Sequence, residues 1–244
     1  MEKTTKLKTK DGHIIYGVLN TPRKETDRLI IFIHGLTGNK NEHVFYNAAR
    51  YFIKNEISTF RFDLYSPEKG GRSLTQCTID THASDLETVL SHFKNTFKKV
   101  YVVGHSLGGP TIVLADISVV SAVILWDPAD IRELKKLVEE QQKVLKNTET
   151  PLIYTINWGV EYLIGRKMAE EFKTLKPADL VKNIFKPIKI ISAEYGNPKG
   201  GKAYYEHANS PKKFVNIKGA GHTFDEEGME EKLLKETLDW IKQF

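Results

Sequence analysis

Residues 104–109, which read GHSLGG, constrain the fold of this chain more than any other segment. They fit the pattern G-x-S-x-G and lie between an apolar run over 100–103 and a helical pattern that starts near Leu107. A serine at such a strand-to-helix turn is held on a strained backbone with its hydroxyl exposed, and flanking glycines remove Cβ atoms that would clash. The start of the helix adds free N–H groups and a positive dipole end. The segment therefore predicts that Ser106 is a nucleophile.

Strand and helix patterns alternate along most of the chain. Asp11-Gly12 marks a hairpin turn between two strand patterns at 4–10 and 13–19. Further strand patterns lie at 28–34, 57–62, 100–104, 120–126, 188–192 and 214–217. Helical spacing of apolar residues occurs at 42–54, 80–97, 107–117 and 226–244. This alternation predicts an α/β fold with a mostly parallel central sheet and helices on both faces.

One further motif precedes the serine turn along the chain, and another follows it. The strand pattern at 28–34 ends in His34-Gly35 and a glycine-containing loop, and the late loop 219–221 precedes His222. With a His-Gly loop, a serine elbow and a late histidine, the chain resembles the α/β-hydrolase superfamily. Within it, the chain is most similar to small esterases and acylglycerol-lipase-like enzymes that carry a lid between strands six and seven. The resemblance covers nearly the whole chain and implies the α/β-hydrolase fold.

The resemblance also implies roles for residues at matching positions. His222 would take the proton from the serine and return it to the leaving group. The backbone N–H groups of Leu36 and Leu107 would form the oxyanion hole, where donors face the developing negative charge. His34 is expected to hold the oxyanion loop, and the side chain of His105 is expected to point away from the site.

The acid that should orient the histidine is where the chain departs from the family pattern. Relatives usually carry it in a Gly-x-x-Asp turn after the seventh strand, but Gly196 occupies that position here. Asp127, at the end of the sixth strand, is the favoured substitute, because some α/β-hydrolases place their acid there. Glu194 and Asn197 remain open as alternatives, as does a site that lacks an acid.

About 60 residues between Pro128 and Pro187 interrupt the alternation, which is far longer than an ordinary connection. We expect a core of residues 1–127 and 187–244 and a lid insertion of residues 128–186, with helices at 131–147 and 161–175. A lid shapes the substrate pocket and excludes water. The aromatic residues of the insertion are candidates for substrate binding, although packing onto the sheet would explain them equally well. They are Tyr154, Trp158 and Tyr162.

Composition argues against several other functions. The net charge is +5, but the lysines are scattered as on a solvated surface, so we expect no nucleic-acid partner. There is no Cys/His spacing typical of a metal site and no G-x-G-x-x-G after a strand, so no metal and no organic cofactor are expected.

The single cysteine, Cys77, allows no intrachain disulfide, which fits a reducing compartment. The first residues lack the apolar core of a signal peptide, and no apolar run approaches the roughly 20 residues of a membrane span. We therefore expect a cytoplasmic protein.

Taken together, the motifs predict a serine hydrolase that cleaves carboxylic esters of small or medium acyl groups through an acyl-enzyme on Ser106. A thioesterase or acyltransferase would use the same nucleophile. A catalytically weak binding protein on the same fold is the alternative from a different class, and the glycine at 196 favours it. The motifs indicate a small-molecule ester as the partner and leave the acyl chain length and the oligomeric state open.

Overall fold

The computed structural model describes residues 1–129, 131, 152–155 and 161–244, with the backbone alone for 152–155. Within these residues the strands are β1 (Glu2–Lys8), β2 (Ile14–Asn20), β3 (Arg28–Ile33), β4 (Ser58–Phe62), β5 (Lys99–His105), β6 (Ala122–Trp126), β7 (Leu152–Thr155), β8 (Glu161–Ile164), β9 (Ile188–Ala193) and β10 (Lys212–Ile217). Eight of them form one sheet in the order β1-β2-β4-β3-β5-β6-β9-β10. In this sheet the β1–β2 and β2–β4 pairs are antiparallel, and all neighbouring pairs that follow in this order, from β4–β3 to β9–β10, are parallel. The predicted hairpin and the mostly parallel sheet are therefore confirmed.

Helices cover both faces of this sheet. They are α1 (His43–Lys54), α2 (Ile79–Phe93), α3 (Gly108–Leu114), α4 (Arg166–Thr174), α5 (Pro177–Leu180), α6 (Pro198–His207) and α7 (Met229–Ile241). Apolar side chains of α1 and α7 pack with one face of the central strands, and those of α2, α3 and α6 pack with the other. The apolar run Leu29 to Ile33 in β3 is buried on both sides, which explains why the strand reads as a continuous hydrophobic segment.

Two helices differ from what the sequence predicts. The helix at 80–97 exists as α2 but ends at Phe93. Between β9 and β10 lies α6, which the sequence analysis did not predict. Pro198 at its first turn is a common helix-start signal, and two adjacent parallel strands require a crossover, usually helical, so both clues were present.

The connection between β6 and β9 contains a small antiparallel pair, β7 with β8, followed by α4. The predicted helix at 161–175 is therefore wrong over its first residues. Exposure alternates along Glu161 to Ile164, as a strand requires, and Gly165 keeps an extended ψ of 150°, so the helix starts only at Arg166. Apart from Ile131, the predicted helix at 131–147 lies outside the described residues.

The α4 segment is anchored beside the serine elbow. Its buried side chains, Met168 and Phe172 among them, share an apolar cluster with Leu107 and Ile79. The carboxylate of Glu171 accepts the Ile79 N–H at 2.5 Å, which is one of the N–H groups that the start of α2 leaves without a partner in the helix. No helix in the described part of the chain is long and apolar enough to cross a membrane.

Candidate active site

Ser106 occupies a sharp turn directly after β5. Its φ is +53°, its N–H donates to Trp126 O at 3.0 Å, and its own carbonyl accepts the N–H groups of Gly109 and Ala129. A Cβ atom on Gly108 would lie 2.4 Å from Ile33 O, so α3 can start this close to β3 only with a glycine there. The elbow predicted from the sequence motif is therefore present, with a half-buried serine at its tip.

Asp127 leaves the neighbouring strand at the same edge of the sheet. His105 pairs with Trp126 in the parallel β5–β6 register, so Ser106 and Asp127 are the first residues beyond two adjacent strand ends. Asp127 also has a positive φ, +41°, and it is fully buried. Carboxyl ends of parallel strands are the usual place for functional side chains in open α/β sheets.

The Asp127 carboxylate is held from three directions. Oδ1 accepts the Ala193 N–H at 3.0 Å, and Oδ2 accepts the Asn197 N–H at 2.9 Å. Oδ2 also lies 2.5 Å from Nδ1 of His222, the shortest of these contacts. Two backbone donors and one imidazole therefore fix the orientation of the carboxylate, and the carboxylate in turn orients the ring of His222.

Gly196 explains how the carboxylate fits. A Cβ atom at this position would lie 2.0 Å from Asp127 Oδ2 and 2.8 Å from its Cγ. The volume that a side chain at 196 would fill is therefore taken by Asp127. A side chain at 196 and the observed position of the Asp127 carboxylate therefore exclude each other.

The other two candidate acids contact different groups. Glu194 accepts the N–H of Gly219 at 2.8 Å, so it supports the loop that leads to His222. Asn197 contributes its backbone N–H to Asp127. Among the described residues, only the Asp127 carboxylate hydrogen bonds to the His222 ring.

His105 packs against His222, whereas the sequence analysis expected it to point away from the site. Its Nε2–H donates to the His222 carbonyl at 2.8 Å, and the two ring centroids are 4.7 Å apart. Burial, with the neighbouring His222, lowers the pKa of His105 to about 3, so its ring is neutral near pH 7. The sequence carried no signal for this contact, because residues 105 and 222 are distant along the chain.

The oxyanion loop lies against the serine. A Cβ atom on Gly35 would be 3.3 Å from Ser106 Oγ, and within the described part of the chain the N–H groups of Leu36 and Leu107 bind no acceptor. His34 holds this loop: its Nδ1–H donates to Gly35 O at 2.8 Å, and its Nε2 accepts the Leu64 N–H at 3.0 Å. Burial lowers the pKa of His34, which favours the neutral ring that this pattern requires.

The three aromatic candidates of the insertion are described unequally. Tyr162 lies in β8 and is half-buried, and it is close enough to Tyr65 to influence that residue's titration. Tyr154 pairs with Tyr162 in the β7–β8 register, but its side chain and the whole of Trp158 lie outside the described residues. In the part of the chain that is described, no three His, Cys, Asp or Glu side chains come together as a metal site would require.

Comparison with known proteins agrees with this architecture. A family model described as the alpha/beta hydrolase fold matches residues 28–216. No curated protein matches the chain. The alpha/beta hydrolase GrgF from Penicillium sp. sh18 is similar, with a TM-score of 0.83 at 19% identity over 100% of this chain and 98% of that one. Est1E from Butyrivibrio proteoclasticus has a TM-score of 0.78 at 22% identity over 98% and 99% of the two chains. The esterase domain of a Rhodothermus marinus protein has a TM-score of 0.77 at 18% identity over 100% and 98%. At these identities the likeness to solved structures shows the fold.

Proposed function

The chain belongs to the α/β-hydrolase family, and on that premise we propose that it is a serine hydrolase that cleaves carboxylic esters of small or medium acyl groups. The observation that carries the proposal is the 2.5 Å hydrogen bond between His222 Nδ1 and the buried carboxylate of Asp127. Asp127 follows β6 and Ser106 follows β5, and these strands are neighbours in the sheet, so both residues lie beyond the same ends of the strands. Acyl transfer needs a serine on an exposed, strained turn and a histidine that a carboxylate orients, and the chain supplies both.

In the proposed mechanism, Ser106 Oγ attacks the ester carbonyl carbon while its proton passes to Nε2 of His222. The carbonyl electrons move to oxygen, and the N–H groups of Leu36 and Leu107 bind the resulting oxyanion, at about 3 kcal/mol for each donor. The C–O bond to the alcohol then breaks, and the proton on Nε2 goes to the leaving oxygen. Water then gives a proton to Nε2 and attacks the acyl carbon, the bond between that carbon and Ser106 Oγ breaks, and the proton on Nε2 returns to Oγ as the acid leaves. Throughout, Asp127 keeps the proton of the neutral ring on Nδ1 and stabilises the imidazolium.

We further propose that residues 128–186 act as a lid over this site, with residues 1–127 and 187–244 as the core. The anchoring of α4 beside Leu107 supports this assignment, because it brings the insertion to the residue that follows the nucleophile. The half-buried Tyr162 would then contact substrate, together with Tyr154 and Trp158. Closing the insertion over the serine would exclude water from the acyl-enzyme until hydrolysis.

Hydrolysis of p-nitrophenyl acetate, butyrate and hexanoate by the wild type and by Ser106→Ala tests the proposal. We expect turnover by the wild type and a fall in kcat/KM of at least about a thousandfold in the variant. Ser118→Ala is a matched control, because Ser118 is exposed and precedes β6, at the opposite end of the parallel strands from Ser106. Turnover that survives Ser106→Ala would contradict the proposed nucleophile.

The same assay separates the alternatives with the same nucleophile. A butyryl thioester turned over much faster than butyryl oxygen esters would indicate a thioesterase. Transfer of the acyl group to an added alcohol in preference to water would indicate an acyltransferase. Absence of turnover and of fluorophosphonate labelling in the wild type would favour a binding protein.

A further inference from the structure

Two polar atoms beside the oxyanion loop are buried without a hydrogen-bond partner among the described residues. They are Oε2 of Glu42, the residue before α1, and the hydroxyl oxygen of Tyr65, which follows β4. Buried polar atoms are normally paired, because each loses its hydrogen bonds to water on folding. One carboxyl oxygen and one phenol oxygen beside the same loop therefore point to a group that the protein itself does not supply.

The Glu42 carboxyl contacts the loop that lies against the proposed nucleophile. A Cβ atom on Gly38 would lie 2.7 Å from Glu42 Oε2, so the carboxyl rests against that glycine. The Gly38 N–H donates to Gly35 O at 3.2 Å, which closes a turn, and Gly35 in turn contacts Ser106. The loop from Gly35 to Gly38 therefore connects the serine with this carboxyl.

Tyr65 lies on the same side of the loop. Its ring meets the ring of His34 edge-on, with centroids 5.2 Å apart. Burial raises the pKa of the Tyr65 phenol, and the charge of Glu42 raises it further, so the hydroxyl stays protonated. Tyr65 therefore offers a donor beside the ring of His34, which holds the loop.

The other polar side chains of this region already have partners. Lys40 is paired with Asp63 at 2.5 Å, and both ring nitrogens of His34 are hydrogen bonded. The amine of Lys40 is therefore not free to pair with Glu42. The unpaired atoms of Glu42 and Tyr65 are left for a ligand.

The chemistry of the two groups favours a neutral ligand over a cation. Burial raises the pKa of Glu42 to about 7, against the opposing effect of His43, so the carboxyl is only partly ionised near neutral pH. A hydroxyl group satisfies both side chains at once, because it donates to the carboxyl oxygen and accepts from the Tyr65 O–H.

We propose that Glu42 and Tyr65 form a polar subsite that binds a hydroxyl group of the ester substrate beside the oxyanion loop. The inference rests on the proposed function, because it assumes that an ester is bound at Ser106. It deepens that function by naming the substrate class: esters with a hydroxyl group within reach of the scissile carbonyl. Glu42 and Tyr65 would determine specificity and would take no part in the bond-breaking steps.

Matched pairs of esters test the subsite. We would measure kcat/KM for p-nitrophenyl butyrate, hexanoate and octanoate against their 3-, 6- and 8-hydroxy counterparts, and for butyl against 4-hydroxybutyl hexanoate. In the wild type at least one pair should favour the hydroxylated ester by about tenfold, the value of one or two hydrogen bonds. In Glu42→Met and in Tyr65→Phe the ratio for that pair should fall to about one.

Two controls keep the readout specific. Glu206→Met and Tyr46→Phe make the same chemical changes at exposed positions and should leave the ratio unchanged. A wild-type ratio at or below one for every pair, or ratios that survive both subsite variants, would overturn the inference and indicate that water satisfies the two atoms. If the plain esters are not turned over either, the proposed function has failed and the subsite falls with it. The plain esters therefore distinguish the two failures.

Discussion

Replacing Gly196 with alanine should disable the candidate site by displacing the Asp127 carboxylate. The backbone at Gly196 does not have a positive φ, so alanine is not excluded by conformation, and the whole effect comes from contact. The new Cβ would lie 2.0 Å from Asp127 Oδ2. An ordinary contact is at least roughly 3.4 Å, so the carboxylate must retreat by about 1.4 Å. The hydrogen bonds to Asn197 and His222, at 2.9 and 2.5 Å, cannot both survive that movement.

The expected losses follow from this displacement. A catalytic group misplaced by 1 Å costs about a hundredfold, and a histidine that loses its orienting acid costs about ten-thousandfold, so kcat/KM should fall by about 10² to 10⁴. Overpacking should also lower the free energy of unfolding by about 1–3 kcal/mol. Kinetics with p-nitrophenyl butyrate and urea denaturation of Gly196→Ala measure the two effects separately.

Adding Gly196→Ala to Asp127→Asn tests whether the alanine lowers activity by displacing the carboxylate. If alanine at 196 acts through Asp127, it should cost little more once the acid is already Asn, because residues that act as one unit are non-additive. Activity of Gly196→Ala within threefold of the wild type would refute the reasoning. So would an equal further loss when the substitution is added to Asp127→Asn.

Three further outcomes are expected. Asp127→Asn should lower kcat by about 10³ to 10⁴, whereas Glu194→Gln should stay within about tenfold of the wild type, because the Glu194 carboxylate bonds to the Gly219 N–H and not to the histidine; equal losses would contradict the assignment of the acid. Asp127→Gly combined with Gly196→Asp returns the carboxylate to the position that relatives use, and this double variant should exceed Asp127→Gly alone by at least about tenfold in kcat/KM; no recovery would show that the two positions are not interchangeable. Burial lowers the pKa of His82 to about 3, against a value near 6.5 in the unfolded chain, so stability is complete above pH 6.5 and falls as the unfolded state takes up a proton below it. Between pH 8 and pH 5 the free energy of unfolding should therefore fall by about 2 kcal/mol less in His82→Leu than in the wild type. Urea denaturation at the two pH values measures this difference, and an equal fall in both proteins would contradict the role of His82.

Much of the fold could be predicted because each core element carries its own signal. Buried parallel strands read as apolar runs, and the amphipathic helices α1 and α7 show helical spacing, so a mostly parallel sheet with helices on both faces could be predicted from their alternation. The prediction erred where the signal was ambiguous. Residues 161–164 are too short and too mixed to separate a strand from a helix, and the polar helix α6 has few buried apolar side chains to reveal it.

Some residues of the candidate site could be predicted from local motifs, and others could not. Ser106 and His222 belong to local motifs, so their types and neighbours along the chain were enough to single them out. The choice between Asp127 and Glu194 could not be made from spacing, because it depends on which strand end lies next to the histidine loop. The contact of His105 with His222 and the approach of Tyr65 to the ring of His34 arise only when distant segments meet in the folded chain.

Covalent labelling determines whether Ser106 is the residue that carries the acyl group. The wild type would be treated with a fluorophosphonate, checked for a single addition by intact mass, and digested so that the modified residue is located by peptide mass spectrometry. We predict one adduct, on Ser106, which is absent from Ser106→Ala and greatly slowed in His222→Ala. A label on another residue, or an unlabelled protein that still hydrolyses esters, would contradict the account.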